Sequence, residues 1–285
     1  MIPTAFEYHR ATSLDDALKA MAAAGGNGKL VAGGHSLVPL MKLRLSEPGV
    51  LIDIARIPDL GGVREKGGQI EIGAATVHHA VATAQVLQDK CPIVSDAAAT
   101  IGDTQVRNRG TLGGSLAHAD PSADMPAVML ALDAEIQLKS ASAERTVKAA
   151  SFFQDLFTVD LRADEIITAV RFTPAKAGAY AKLYQKASHY AIVGVAAVLD
   201  VKGGKIQSAR IGLTGATTHA VRLSTLEQAL AGQSASKEAI DTAAANAGAD
   251  VQNINSDLHA SEDYRRAMVG VFAKRALLAA LARAT

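Results

Sequence analysis

The sequence predicts an α+β protein in three parts, because the pattern of strands and helices changes twice along its 285 residues. Residues 1–56 show a strand–helix–strand pattern, and residues 57–177 show short alternating strands with inserted helices. Residues 178–285 show a hairpin followed by alanine-rich helices. We therefore expect an N-terminal α/β subdomain, an α+β subdomain and a C-terminal α+β domain with these bounds.

The N-terminal subdomain begins with a predicted helix over residues 13–24, in which Ser13 is a typical N-cap. Glycines follow this helix and end it. A short strand over 29–32, a helix over 37–43 and a strand over 50–54 come next. Two strands joined by a helix are usually parallel, so the sequence predicts a small parallel sheet.

The middle subdomain has a different pattern, since short alternating runs replace the strand–helix–strand order. Strands are predicted at four places, residues 69–72, 135–138, 144–148 and 166–172. A helix is expected near residues 76–88. Glycine pairs and polar turns between the runs favour a mainly antiparallel sheet.

The C-terminal domain contains a predicted hairpin, with strands over 191–201 and 205–214 joined by Lys202, Gly203 and Gly204. Three helices are expected after it, over residues 223–231, 236–249 and 261–284. In the last helix we expect six side chains to face the core: Tyr264, Met268, Val271, Phe272, Leu277 and Leu278.

The composition argues against several classes of function. The chain has 29 Lys and Arg against 28 Asp and Glu, so a basic face for nucleic acid is not indicated. Its single cysteine, Cys91, cannot form an internal disulfide or hold a zinc or iron–sulfur site. Residues 1–10 show no signal-peptide pattern, and the apolar run over 191–201 is too short to cross a bilayer. We therefore expect a cytoplasmic protein.

A first glycine cluster, with the sequence AGGHS, follows a predicted strand and opens a predicted helix at residues 32–36. Gly33 and Gly34 let backbone amides approach a ligand closely, and the amides of such a turn form an anion nest. Ser36 adds a hydroxyl donor, so a pyrophosphate is a natural occupant. The alternative is a tight strand-to-helix turn without a ligand, and the pattern is not the GxGxxG of a dinucleotide fold.

A second cluster lies in residues 100–124, where TIGD and TLGGS flank Arg107 and Arg109. Amides and hydroxyls here are expected to bind phosphate oxygens, and the residues concerned are Thr111, Gly113, Gly114 and Ser115. Asp124 could accept hydrogen bonds from a ribityl or ribose hydroxyl. The two arginines could face phosphates or acids on a partner protein. The alternative is a surface loop system with turn chemistry only.

Four segments taken in order carry a family resemblance: AGGHS, LVPLMKLRL, TIGD and RNRGTLGGSLAHADPSAD. With them the chain resembles, over its whole length, the FAD-binding medium subunits of molybdenum hydroxylases, most of all the aerobic carbon monoxide dehydrogenase type. The resemblance implies a vanillyl-alcohol oxidase-like (PCMH-type) FAD-binding fold, closed by a C-terminal α+β domain.

The resemblance also implies a set of FAD contacts. Residues 32–36 and 111–115 would hold the pyrophosphate, Leu161 would lie near the isoalloxazine or adenine, and Lys186 would approach the flavin ring. Tyr190 would cover a flavin face. The full implied set is Ala32, Gly33, Gly34, His35, Ser36, Leu37, Thr100, Gly102, Asp103, Thr111, Gly113, Gly114, Ser115, Ala117, Asp124, Leu161, Lys186 and Tyr190. No catalytic residue and no metal ligand is implied in this chain.

The implied function is electron transfer within a complex. A large molybdenum-cofactor subunit would oxidise the substrate, and a small subunit with two [2Fe–2S] clusters would pass electrons to the FAD of this chain. An external acceptor such as a quinone would receive them, which leaves open a contact with the inner face of the membrane. The complex would be a dimer of heterotrimers. Carbon monoxide is the expected substrate, with N-heterocycles and aldehydes as alternatives.

Two other classes of function remain open on the residues alone. One is a self-contained flavin oxidoreductase, which needs a substrate pocket and a general base on the same chain. The other is a nucleotide-binding or scaffolding protein that uses the glycine loops without redox chemistry. Flavin content and turnover by the isolated chain distinguish the three.

Overall fold

The computed structural model describes residues 2–249 and 251–284. The N-terminal part contains β1 (Glu7–Arg10), α1 (Leu14–Ala24), β2 (Gly28–Val31), α2 (Leu37–Lys42) and β3 (Val50–Asp53). The strands form a parallel sheet of order β1-β3-β2, which confirms the predicted parallel pairing. The strand β1 is absent from the sequence prediction because its residues, EYHR, are polar and largely exposed. Ser13 caps α1 as predicted, through a bond from the Asp16 amide.

The middle part is built on a five-stranded antiparallel sheet of order β4-β5-β10-β6-β7. After a 3-10 turn at Pro58–Leu60, its elements are β4 (Val63–Lys66), β5 (Gln69–Gly73), α3 (His78–Thr83), α4 (Gln85–Lys90), α5 (Pro92–Ala99), α6 (Thr104–Arg107), α7 (Leu112–His118), α8 (Asp124–Ala131), β6 (Glu135–Lys139), β7 (Glu144–Lys148), α9 (Ala149–Phe152), β8 (Phe153–Asp155), β9 (Thr158–Val159) and β10 (Ile166–Phe172).

The single helix expected over residues 76–88 is wrong, since two short helices occupy this stretch. Ala84 adopts an extended backbone, with φ −67° and ψ 115°, and separates α3 from α4. The break lets Val81 and Leu87, one from each helix, both be fully buried in the main core. Tertiary packing therefore overrides the helical preference of this segment.

The C-terminal part has an antiparallel sheet of order β11-β12-β13-β14, covered by helices. Its elements are β11 (Gly178–Tyr184), β12 (Ala191–Lys202), β13 (Lys205–Thr214), β14 (Val221–Arg222), α10 (Ser224–Leu230), α11 (Lys237–Ala244) and α12 (Glu262–Ala282). The predicted hairpin is confirmed, and Gly203 and Gly204 both take the positive φ that its tight turn requires. The helix α11 ends at Ala244, so the predicted extension of this helix to residue 249 is wrong.

The buried face of α12 differs in part from the prediction. Phe272 and Leu277 are buried as expected, whereas Tyr264 and Val271 are 47% and 37% exposed. Three alanines share the face that packs on β11 and β12, and the buried residues of the helix are Arg265, Val269, Phe272, Ala273, Ala276, Leu277 and Ala280. The prediction took the largest apolar side chains as the buried face. In the structure Ala273, Ala276 and Ala280 belong to that face, and their small side chains let the helix lie close to the sheet.

The helix α8 joins the middle and C-terminal parts. All of its residues are buried, and it packs on β12 and β13 as well as on α5 and α7. It therefore fixes the C-terminal sheet relative to the segment that carries the second glycine cluster. Within the described residues no helix is long and apolar enough to span a membrane.

Candidate functional site

A cavity of about 670 Å³ lies where the three parts of the chain meet. It is lined by the first glycine cluster, by residues from 101–124, by residues 161 and 165–167, and by the turn at 187–190. Its volume falls in the range that small-molecule and cofactor sites occupy. Both glycine clusters of the sequence therefore open into the same space.

The first glycine loop, residues 33–37, connects β2 to α2. None of its five backbone amides donates a hydrogen bond to another described residue. The hydroxyl of Ser36 makes no capping bond to its own helix either. Consecutive amides without internal acceptors form an anion-binding nest, because each N–H needs an acceptor from a ligand or water. The loop is thus suited to the diphosphate of a dinucleotide.

Gly33 shows why this loop needs glycine. A Cβ at position 33 would collide with the backbone carbonyl of Arg109 and would lie 2.8 Å from the Cα of Gly110. The first loop therefore lies directly against the backbone of Arg109 and Gly110, which leads into residues 111–115. Gly34 has a φ of 74°, which a residue with a side chain adopts only with strain.

The second glycine loop, residues 111–115, uses its amides differently. Each amide from residue 112 to residue 115 has an acceptor inside the chain. The acceptors are Thr76 O for Leu112, Ala74 O for Gly113, Thr111 Oγ1 for Gly114 and Thr111 O for Ser115. The expected donation from the Gly113 and Gly114 amides to phosphate is therefore not available in this arrangement. The Ser115 hydroxyl has no hydrogen-bond partner among the described residues and lines the cavity.

Asp124 is buried at the first turn of α8 and also lines the cavity. Tyr180 Oη donates to its Oδ1 at 2.5 Å, and Lys182 Nζ donates to its Oδ2 at 3.0 Å. Burial raises the pKa of Asp124, while Lys182 and Tyr180 act in the opposite direction. Both carboxylate oxygens thus have protein donors, and each retains a lone pair for a sugar hydroxyl.

The remaining residues implied by the family resemblance fall into two groups. Most line the cavity, including Gly102, Asp103, Ala117, Leu161 and Tyr190. Thr100 and Lys186 are exposed residues outside the lining set, so a contact of either side chain with FAD stays a prediction.

The two arginines of the second cluster have different surroundings. Arg107 bonds to the carbonyls of Ile101 and Gly102 and so closes the turn before α6. Arg109 is exposed and forms no ion pair within the part of the chain that the structure describes. Arg107 therefore supports the chain itself, whereas the exposed Arg109 meets the first loop through its backbone, which lies against Gly33.

Two titratable residues of the cavity were missed by sequence reasoning. His78 Nδ1 is buried without a partner in the described structure. Burial is the main cause, and the nearby charge of His35 the second, that lowers the pKa of His78 to about 4. Glu165 is buried, and Arg145 Nε donates a hydrogen bond to its Oε1 at 2.7 Å. This hydrogen bond lowers the pKa of the Glu165 carboxyl. Neither residue lies in a glycine cluster, so no local pattern marks it.

The arrangement fits a bound FAD. The first loop offers amides for a diphosphate, Ser36 and Ser115 offer hydroxyls, and Leu161 and Tyr190 offer apolar and aromatic surface for rings. Among the described residues no group of three or more His, Cys, Asp or Glu side chains is placed to hold a metal ion.

Comparison with known proteins agrees with this geometry. The family described as the FAD binding domain in molybdopterin dehydrogenase matches residues 4–175, and the CO dehydrogenase flavoprotein C-terminal domain matches residues 178–280. The carbon monoxide dehydrogenase medium chain of Hydrogenophaga pseudoflava is 40% identical over 286 residues, which cover 99% of each chain.

Solved structures give the same result. Carbon monoxide dehydrogenase from Hydrogenophaga pseudoflava, in a form that lacks the Mo-pyranopterin moiety, matches with a TM-score of 0.95 and 41% identity over 100% of both chains. Quinoline 2-oxidoreductase from Pseudomonas putida 86 matches with a TM-score of 0.93 and 32% identity, covering 100% of this chain and 99% of that chain. The predicted fold, family and cofactor are confirmed: the chain belongs to the FAD-binding medium subunits of the molybdenum hydroxylases.

Proposed function

We propose that this medium subunit serves a carbon monoxide dehydrogenase. The observation that carries the proposal is the full-length similarity to a carbon monoxide dehydrogenase medium chain. It is joined to a cavity whose first loop has five amides without an acceptor among the described residues. The chain would hold FAD between the iron–sulfur clusters of a partner and an external acceptor such as a quinone. When bound, the isoalloxazine supplies the redox chemistry, and the protein supplies position and electrostatics.

Each part of the cavity has its own proposed task. The amides of residues 33–37 and the Ser36 hydroxyl hold the diphosphate. The second loop, with the Ser115 hydroxyl, forms the opposite wall, and Asp124 accepts a bond from a sugar hydroxyl. Tyr190 covers a flavin face and excludes water from it. All of these residues line the cavity, which supports the assignment.

The proposed partners would supply the metal centres, for which this sequence has too few cysteine ligands. Its single cysteine, Cys91, is buried, and burial raises its pKa to about 11, so it is an unreactive thiol. An iron–sulfur cluster needs about four ligating side chains, usually thiolates. We therefore propose a small subunit with two [2Fe–2S] clusters, a large molybdenum-cofactor subunit, and a dimer of heterotrimers. The relative in Hydrogenophaga pseudoflava is named a medium chain, which supports an assembly with other subunits.

The test is to purify the chain with its natural partners and to measure substrate-dependent reduction of an artificial acceptor. We expect a visible flavin spectrum, two co-purifying subunits and turnover with carbon monoxide. Turnover with a quinoline or an aldehyde but not with carbon monoxide would show that the proposed substrate is wrong, while the proposed role as a medium subunit would stand. Turnover by the isolated chain would instead favour a self-contained flavin enzyme.

An N-heterocycle is the second candidate substrate. The structural match to quinoline 2-oxidoreductase, with a TM-score of 0.93, supports it. The substrate does not touch this chain in either proposal, so the fold of the medium subunit is compatible with both.

A further inference from the structure

Lys182 is a buried lysine beside the cavity, with a side chain only 4% exposed. Its Nζ donates to the carbonyl of Thr100 at 3.0 Å, to Asp124 Oδ2 at 3.0 Å and to the carbonyl of His189 at 2.8 Å. Thr100 and Asp124 belong to the middle part of the chain, whereas His189 lies in the turn between β11 and β12. One ammonium group therefore joins both parts where they meet.

The strand β11 is built to place this ammonium. Tyr180 and Lys182 are two residues apart, so their side chains leave the same face of the strand and both reach Asp124. Gly194 pairs with Lys182 across the sheet, and a Cβ at 194 would collide with the Tyr180 hydroxyl. The glycine thus leaves the space in which Tyr180 reaches the carboxylate.

The turn at residues 185–190 is held at His189. Besides the Lys182 bond to its carbonyl, His189 places ring Nδ1 2.8 Å from the carbonyl oxygen of Gly102. A carbonyl only accepts, so Nδ1 carries the proton in this bond. The φ of His189 is 61°, a left-handed conformation that costs energy for a residue with a side chain. Tyr190, which lines the cavity, is the next residue.

We propose that Lys182 is the positioning residue of the cavity: its ammonium anchors the turn at 185–190 to the Asp124 carboxylate and the Thr100 backbone carbonyl and thereby holds Tyr190 in place. Without Lys182, the carbonyl of His189 loses this donor, and the bond from His189 Nδ1 to the Gly102 carbonyl is left to hold the strained backbone, so the turn opens more often. The anchoring concerns the chain alone. Only its effect on bound flavin rests on the proposed function.

Hydrogen exchange on the full-length chain tests the anchoring. Two amides are informative because they close the turn. The Gln185 amide donates to the carbonyl of Tyr190, and the His189 amide donates to the carbonyl of Gln185. In Lys182→Met we expect exchange at these two amides to be about tenfold faster, with the β12–β13 ladder unchanged. Lys202→Met, at an exposed lysine at the end of β12, is the matched control and should leave the turn protected.

A double variant keeps the test decisive if Lys182→Met leaves the buried Asp124 carboxylate without an opposite charge, although the Tyr180 hydroxyl still bonds to it, and unfolds the chain. Lys182→Met combined with Asp124→Asn removes both charges and still lacks the anchor, so the turn should again exchange faster. Wild-type protection of Gln185 and His189 in the folded double variant would overturn the proposal.

A second readout separates this inference from the proposed function. With FAD added to Lys182→Met, we expect faster release of FAD and brighter flavin fluorescence, because Tyr190 no longer packs steadily on the ring. Fast exchange in a chain that holds no flavin in any variant would refute the flavin role and leave the anchoring intact. Unchanged exchange would refute the anchoring, whatever the flavin shows.

Discussion

The two glycine loops look alike in sequence and differ in what their backbones do. In the first loop, residues 33–37, five amides have no acceptor in the described chain. In the second loop, the amides of residues 112–115 all have acceptors within the chain. Both loops face the same cavity. The first loop therefore has N–H groups available for a ligand, whereas the amides of the second loop are bonded within the chain.

The difference explains why each loop contains glycine. Gly33 allows close approach to the Arg109 backbone, and the amides beside it stay unpaired. Gly113 packs on Ala74, where a Cβ would lie 2.5 Å from the Ala74 Cβ and 2.8 Å from its carbonyl oxygen. Changes in the first loop should hence affect FAD binding most, and changes in the second should affect stability most.

Gly33→Ala should have the largest effect. Because its Cβ meets backbone atoms of Arg109 and Gly110, the loop must move and its amides no longer converge. We expect flavin content to fall at least about tenfold and stability to fall by about 1–3 kcal/mol. The ratio of visible flavin absorbance to protein, and a denaturant titration, measure the two effects.

The matched control for this variant is Gly61→Ala, whose Cβ would meet only the Pro58 carbonyl at 3.6 Å. Its stability should stay within about 0.5 kcal/mol of wild type, as at ordinary surface positions. Full flavin content in Gly33→Ala would show that the first loop is not the diphosphate site.

Ser36→Ala tests the ligand-facing loop more gently. The hydroxyl makes no capping bond in its own helix, so stability without FAD should stay within about 0.5 kcal/mol. The affinity for FAD should fall about tenfold, roughly 1.4 kcal/mol, which is close to the lower end of the range for one lost hydrogen bond to a charged group. Isothermal titration of the FAD-free chain measures it, and unchanged affinity would remove Ser36 from the site.

Thr111→Val tests the second loop in the opposite sense. Valine keeps the shape of threonine but cannot accept the bond from the Gly114 amide, which caps α7. We expect the FAD-free chain to lose about 1 kcal/mol of stability. The affinity for FAD should change by no more than about threefold, roughly 0.6 kcal/mol. If the free energy of FAD binding fell by more than the free energy of unfolding, the second loop would bind FAD directly, and the proposed difference between the two loops would be wrong.

Asp160→Asn should give the smallest effect and concerns a carboxylate that, like the amides of the second loop, is paired within the chain, next to the cavity-lining Leu161. Its hydrogen bonds from Arg145 lower the pKa of Asp160 below 3.8. A carboxyl with a lowered folded pKa stabilises the chain above its ordinary pKa, and this contribution is lost as the pH falls through the folded value. Thermal unfolding between neutral and acidic pH should thus show a shallower acid decline in the variant. An identical decline would show that the pair contributes nothing.

Sequence reasoning succeeded where a local pattern determines local structure. The AGGHS and TLGGS clusters lie in one cavity, and the predicted hairpin forms with Gly203 and Gly204 at positive φ in its turn. Ser13 caps its helix through its side-chain oxygen, as predicted. In each case the residue type itself supplies the geometry, so one sequence suffices to predict it.

Features that depend on tertiary contacts could not be predicted in this way. The break at Ala84 and the exposure of Tyr264 follow from how helices pack against distant elements. The pairing of Lys182 with Asp124 joins residues 58 positions apart, and no periodicity marks it. The use of amides in the second loop depends on Ala74 and Thr76, which the cluster itself does not contain.

The most direct test of the account is an experimental structure of the chain with FAD bound. We expect the diphosphate oxygens to lie about 3 Å from amide nitrogens of residues 33–37, with the second loop keeping its bonds to Ala74 and Thr76. A diphosphate bound to the amides of 112–115, with the first loop left without a ligand, would contradict it.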